Sequence, residues 1–412
     1  MRSRRLVCAT TAGLAAAVLG VGPAWAAPVL PPLRSGQCLP APARSIPDIP
    51  WAQRHLTPER AWTLTEGTGV VVAVLDSGVD ARSPQLSRRV LPGVDLTRTG
   101  GGRADSDCLG HGTFVAGIIA AAPTTGSGFA GVAPKVRILP IRITDRPEGA
   151  PEAIATGIRT AVDRGAGVIN VSAGTTVRSP AMEAAVRYAE QRNVVVVAAA
   201  GNRAEGAGVR TYPAAFPGVL AVGAMDTSGR RSDAAAQSAP VSLVAPGADV
   251  VSIGPRGPGH WQGSGTSYAT PFVAGTAALV RAYRPALSAA QVRHRLQATA
   301  DLPAADLPDT VFGWGVVNPM AAVATVLPEE GRAGTVTGAA RRAAAPDPTT
   351  SARVGPFLAA GVALVLLAAA GGAVLAVLGP AGHRRRWRPA RAVRPYEPEQ
   401  AVPTPEPAPP VR

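Results

Sequence analysis

The chain has 412 residues, enough for one large domain with tails or for two domains. It carries 41 Lys and Arg against 27 Asp and Glu, a formal charge of +14, which on its own invites a nucleic-acid partner. Two facts exclude that class. The dense basic clusters, Arg2–Arg5 and His383–Arg388, flank apolar runs at the chain ends, and aromatics are only 4%, too few to stack on bases.

Residues 1–26 have a basic start, an apolar middle from Ala12 to Val21, and a small-residue site at Ala24-Trp25-Ala26. That is the three-part pattern of a secretory signal peptide, with cleavage expected after Ala26. Cys8 falls in this leader. Cys38 and Cys108 remain, an even pair in an exported chain, and they are expected to bond to each other. Residues 27–50 are rich in proline and show neither helical nor strand period. A segment of that length seldom folds alone. It reads as an extension strapped to the body of the protein through Cys38.

Residues 51–326 change character. Continuous apolar runs at Val70–Leu75, Val136–Ile141, Val168–Val171, Val194–Ala198, Val219–Gly223 and Val241–Val244 predict strands. Between them, alanine-rich stretches predict helices over Gly112–Ala121, Pro151–Arg164, Pro180–Arg192, Tyr268–Tyr283 and Ser288–Thr299. Strands apolar on both faces and separated by helices imply an α/β fold: a doubly wound, mostly parallel sheet flanked by helices. Reactive groups in such sheets collect at the carboxyl ends of the strands.

Residues 327–354 lack periodicity and read as a linker. Residues 355–379 hold an uncharged apolar run, Pro356–Leu378, long enough to cross a bilayer. An arginine cluster follows, in a basic, Pro-rich tail over 380–412. The positive-inside rule puts that tail in the cytoplasm. The expectation is one C-terminal transmembrane helix in the cell membrane, with residues 51–326 on the extracytoplasmic side.

Four residues carry the chemistry. Asp76 ends the first apolar run, in Asp-Ser-Gly (76–78). His111 opens a helix, in Gly-His-Gly-Thr-Phe-Val-Ala-Gly (110–117). Asn202 follows a strand, in Ala-Ala-Gly-Asn (199–202). Ser267 lies at a helix start, in Gly-Thr-Ser-Tyr-Ala-Thr-Pro (265–271), where Pro271 is expected to fall early enough for its missing N–H to cost nothing. Taken singly, these read as a turn acid, a structural histidine, a turn amide and a helix cap. Together they supply a nucleophile, a base, a group to orient the base and an oxyanion donor.

In this order, Asp–His–Asn–Ser, the motifs resemble those of the subtilisin-like serine proteases, whose triad runs in the same sequence. The resemblance covers residues 51–326. It implies that Ser267 is the nucleophile, His111 the general base and Asp76 its orienting partner, with Asn202 in the oxyanion hole. It also implies that Ser172, Ala173 and Gly174 pair with the substrate backbone by strand addition. Phe114 and Phe272 stand where many members carry histidines. The layout of leader, cysteine-bearing extension, protease domain, linker, membrane helix and basic tail is similar to that of the mycosins, membrane-anchored subtilases of type VII secretion. That likeness implies a protein or peptide substrate and association with a secretion membrane complex. No cofactor is called for. Structural calcium stays open, since no acidic cluster of the usual kind stands out. A competing reading makes the chain mainly a structural subunit of that complex, with proteolysis secondary.

Overall fold

The computed structural model describes residues 38–146, 149–202, 209–232, 241–303 and 306–331. The expected signal peptide, linker (from residue 332), membrane helix and tail lie outside these residues. Among the described residues, no helix is long and apolar enough to cross a membrane.

Each of the six apolar runs forms a strand. They are β1 (Val71–Asp76), β3 (Arg137–Arg142), β4 (Val168–Val171), β5 (Val195–Ala199), β6 (Val219–Met225) and β7 (Leu243–Pro246). A two-residue strand, β2 (Val94–Asp95), completes a seven-stranded sheet in the order β2-β3-β1-β4-β5-β6-β7. All of its pairings are parallel. Alternate residues of a strand point to opposite faces, and the core divides accordingly. Val72 and Val74 of β1 pack into one apolar cluster, Ala73 and Leu75 into another. The first cluster holds α2 (His111–Ala120) and α5 (Thr266–Tyr283); the second holds α3 (Pro151–Asp163) and α4 (Pro180–Gln191). The sheet is therefore buried on both faces, as its unbroken hydrophobic strands require.

From β1 the chain first winds outward through β2 and β3, then returns to lay β4 on the other flank of β1. The direction of winding thus reverses between β1 and β4, and a reversal of this kind opens a crevice at the strands' carboxyl ends. Because Leu75 pairs with Val171, the next residues, Asp76 and Ser172, lie side by side at that edge.

Short elements were not anticipated. They are α1 (Trp51–Leu56), α7 (Pro319–Ala324) and the antiparallel hairpin of β8 (Val250–Ile253) and β9 (His260–Gly263). A further helix, α6 (Ala289–Ala298), opens with a capping box between Ser288 and Gln291. Its Arg295 is fully buried, an unusual place for a guanidinium. Each of its three guanidinium nitrogens donates a hydrogen bond. It bonds the carbonyls of Ala322 at 2.8 Å and Thr325 at 2.9 Å, and grips both carboxylate oxygens of Glu330. That bidentate pair fastens the last described turn, Pro328–Gly331, to the body of the domain.

Candidate active site

Asp76 ends β1 and is buried. Its Oδ1 accepts from the Ser77 backbone N–H at 2.8 Å and faces His111 Nδ1 at 2.8 Å. His111 is the first residue of α2, behind an N-cap, Gly110, with φ of 84°. That left-handed backbone favours glycine. Gly112 is required for a different reason: a Cβ there would lie 2.0 Å from the Gly78 carbonyl oxygen. The glycines of the motif thus let α2 come close enough to β1 for the imidazole to reach the carboxylate.

Ser267 is the second residue of α5, behind Gly265 as N-cap. Its N–H falls among the helix-start donors that have no intrahelical acceptor. Its hydroxyl donates to the Ser172 carbonyl at 2.9 Å, and the Ser172 hydroxyl donates to the Ser267 carbonyl at 2.9 Å. Pro271 corrects an expectation. It lies inside the helix, at the position whose N–H would normally bond the Ser267 carbonyl. Ser172 supplies the missing donor. Asn202 Oδ1 accepts from the Thr266 N–H at 2.9 Å and from the Thr266 hydroxyl at 3.1 Å. Both bonds fall on the oxygen, so the amide is oriented with its NH2 group directed elsewhere.

The next residue after the serine, Tyr268, joins the two halves of the site. Its ring lies 5.2 Å from that of His111 and 4.7 Å from that of Phe114. Of the expected substrate strand, Ala173 is buried, and the Gly174 carbonyl accepts from the Gly149 N–H at 3.3 Å.

Burial works against a charged imidazole at His111. The charge of Asp76, the hydrogen bond to it and the charge of Asp107 outweigh burial, so the pKa stands above the ordinary histidine value. Asp107 itself is buried, and desolvation lifts its carboxyl to about 6. Sequence reasoning passed over Asp107 and Tyr268. An acidic residue just before a helix reads as an ordinary cap, and a tyrosine at helical spacing reads as packing. Among the described residues, no group of His, Cys, Asp and Glu is arranged to hold a metal ion.

Cys38 and Cys108 form a disulfide, three residues before His111. From there the extension runs without regular structure to α1. Leu39 is buried, its N–H bonds the Cys108 carbonyl at 2.6 Å, and its carbonyl accepts from the Arg256 guanidinium. Farther on, the Ile46 N–H donates to His260 Nδ1 at 3.1 Å, and the His260 backbone N–H donates to the Arg44 carbonyl at 2.7 Å.

The sequence profile of the subtilase family, peptidase S8, matches residues 67–315. Mycosin-4 of Mycobacterium tuberculosis is 35% identical, over 91% of this chain and 95% of that protein. Thermitase of Thermoactinomyces vulgaris is 38% identical over 59% of this chain and 85% of its own length. Among solved structures, MycP1 from Mycobacterium smegmatis aligns with a TM-score of 0.64 and 31% identity, over 79% of this chain and 97% of that one. The MycP3 protease from the type VII (ESX-3) secretion system aligns with a TM-score of 0.61 and 32% identity, over 73% of this chain and 96% of that one. With that profile spanning its sheet and a mycosin matching nearly its whole length, the chain belongs to the subtilase family of serine endopeptidases and is of the mycosin type.

Proposed function

We propose that the chain is a membrane-anchored endopeptidase that processes protein substrates of a type VII secretion system and associates with its membrane complex. Asp76, His111 and Ser267 form its triad, and Asn202 serves its oxyanion hole. The observation that carries the catalytic reading is the 2.8 Å bond between His111 Nδ1 and Asp76, made at the carboxyl edge of the sheet beside the Ser172–Ser267 pair. With Nδ1–H held by the carboxylate, Nε2 is the free lone pair of the ring.

Ser267 Oγ attacks the scissile carbonyl carbon, and its proton passes to His111 Nε2. The hydroxyl first leaves the Ser172 carbonyl, by rotation about its Cα–Cβ or Cβ–Oγ bond. The developing oxyanion is held by the Asn202 amide and the Ser267 N–H, two donors already fixed in direction. His111 returns the proton to the leaving amine as the C–N bond breaks. Water then attacks the acyl ester, giving one proton to His111, which restores the Ser267 hydroxyl as the acid departs.

The secretion role draws on the mycosin relatives and on the expected leader and 355–379 span. Its test is a comparison of the N-termini of secreted proteins in cells carrying the wild-type chain or Ser267→Ala. Serine-directed fluorophosphonate labelling of the full chain runs alongside. The expected result is labelling that requires Ser267, together with processed N-termini that vanish in the variant. Unchanged N-termini with secretion intact would remove the processing role. Loss of secretion only when the whole chain is deleted would favour the structural-subunit reading.

A further inference from the structure

Asp107 is a buried carboxylate beside the proposed triad that the mechanism above does not use. Its side chain joins the two segments that carry the acid and the base. Oδ1 accepts from the Ser77 hydroxyl at 3.0 Å and from the Gly110 N–H at 2.8 Å. Oδ2 accepts from the Thr113 N–H at 2.8 Å and from the Thr113 hydroxyl at 2.7 Å. The Ser77 hydroxyl, having donated to Asp107, accepts from the Gly112 N–H at 3.0 Å. The Ser77 backbone N–H donates to Asp76 Oδ1, the oxygen that His111 also engages. Asp76 and the start of α2 are therefore connected directly through His111 and again through Ser77, whose hydroxyl meets both Gly112 and Asp107.

A helix cap alone would need only one side-chain oxygen on the first-turn N–H groups. Asp107 does more, since one of its oxygens reaches across to the segment after β1. No cation neutralises it. All of its hydrogen-bond donors are neutral groups, and Arg142, which bonds the Ser77 carbonyl and Ser106, is itself paired with Asp95. A buried, unneutralised carboxylate is costly to keep charged, and burial is the main reason its pKa rises to about 6.

We propose that Asp107 is a positioning residue of this protease. By bonding Ser77 and the first turn of α2 together, it sets the Asp76–His111 geometry, and its negative charge favours the imidazolium that forms during turnover. The charged or titratable groups facing His111 are then Asp76 at its Nδ1, Asp107 at the start of its helix, and Tyr268, whose tilted ring lies 5.2 Å away. The inference rests on the triad assignment above. It is tested only in protein whose fluorophosphonate labelling already requires Ser267 and His111, so a failure of that assignment shows first and separately.

The test compares the full chain with Asp107→Asn, Asp107→Ser and Ser77→Ala, reading pH profiles of kcat and kcat/KM on a peptide substrate together with thermal midpoints. Asparagine removes the charge and sets an NH2 against donors. Serine keeps a capping oxygen without charge. Alanine at 77 leaves the Asp107 bonds to Gly110 and Thr113 in place, but cuts the cross-link and removes the acceptor of the Gly112 N–H. Both Asp107 variants are expected to lose kcat about tenfold or more with KM nearly unchanged, as a shift in orientation predicts. They should also move the acid limb of kcat/KM to lower pH by about half a unit, because a negative charge near His111 is lost. Ser77→Ala is expected to lower kcat several-fold while leaving the limb in place. If Asp107→Asn is too unstable to assay, Asp107→Ser and Ser77→Ala decide. Altered thermal midpoints with unchanged kcat and an unmoved acid limb would reduce Asp107 to a structural cap and overturn the proposal.

Discussion

Ser172 and Ser267 exchange hydrogen bonds: each hydroxyl donates to the other's backbone carbonyl, both at 2.9 Å. The exchange joins the end of β4 to the first turn of α5. Its origin is partly a proline, since Pro271 has no N–H to give the Ser267 carbonyl. Ser172→Ala is expected to cost about 1 kcal/mol of stability, the usual net worth of such a bond. Pro271→Ala restores an N–H at the right position, so the cost of Ser172→Ala should shrink in that background. A double-mutant cycle by chemical denaturation checks this, and strict additivity would count against the account.

The raised pKa of His111 has a consequence for rate. The proposed triad needs the neutral ring, so kcat/KM should fall on the acid side with an apparent pKa above the ordinary histidine value. Asp76→Asn removes the charge that raises it and favours the wrong tautomer. A loss in kcat of about 10⁴-fold, as seen for the equivalent change in a serine protease triad, is expected. Steady-state kinetics across pH reads both effects.

Asn202 presents its oxygen to Thr266, and in the proposed mechanism its amide hydrogens serve the oxyanion. Asn202→Ala should reduce kcat by about 10²–10³-fold with little change in KM, the magnitude known for the oxyanion asparagine of subtilisin. An equal loss from KM alone would mean that the amide binds the ground state rather than the transition state.

The disulfide closes a loop whose ends are 70 positions apart. In the chain-entropy picture, a loop of that size contributes about 4 kcal/mol. Reduction should lower the thermal midpoint and expose residues 38–50 to proteolytic nicking, visible by mass spectrometry. Intact residues 38–50 under reducing conditions would mean that the hydrogen bonds hold the extension unaided.

His260 offers a second handle on the same segment. Burial lowers its pKa to about 4, so the folded protein keeps it neutral, with Nδ1 accepting from Ile46. An unfolded histidine takes up its proton near 6.5. Stability from this group is therefore complete above about pH 6.5 and declines as pH falls toward 4, by roughly 3 kcal/mol in all. His260→Asn keeps an acceptor for the Ile46 N–H and should flatten that part of the stability profile, measured by denaturation at several pH values.

What the sequence revealed, and what it hid, follow from physics. Strands buried on both faces must be apolar throughout, so β5 and β6 announce themselves as Val194–Ala198 and Val219–Gly223. The hairpin of β8 and β9 spreads its burial over four-residue strands, and β2 has two residues, too few for a period to emerge. The motifs around Asp76, His111, Asn202 and Ser267, on which the proposed site rests, stand out in the sequence because their glycines and small residues are themselves constrained by packing. Asp107 does not. Nothing in its neighbourhood distinguishes a carboxylate that joins two segments from one that caps a helix. Pro271 was misplaced because helix starts are hard to fix from sequence, and its proper position required knowing that Ser172 lay opposite.

The buried grip of Arg295 on Glu330 has a mechanical side. Whatever follows residue 331 departs from a point riveted to α6, and a pull on that departing chain is first borne by two parallel charge-assisted bonds loaded together. The seven-stranded sheet would feel such tension only after that rivet gave way.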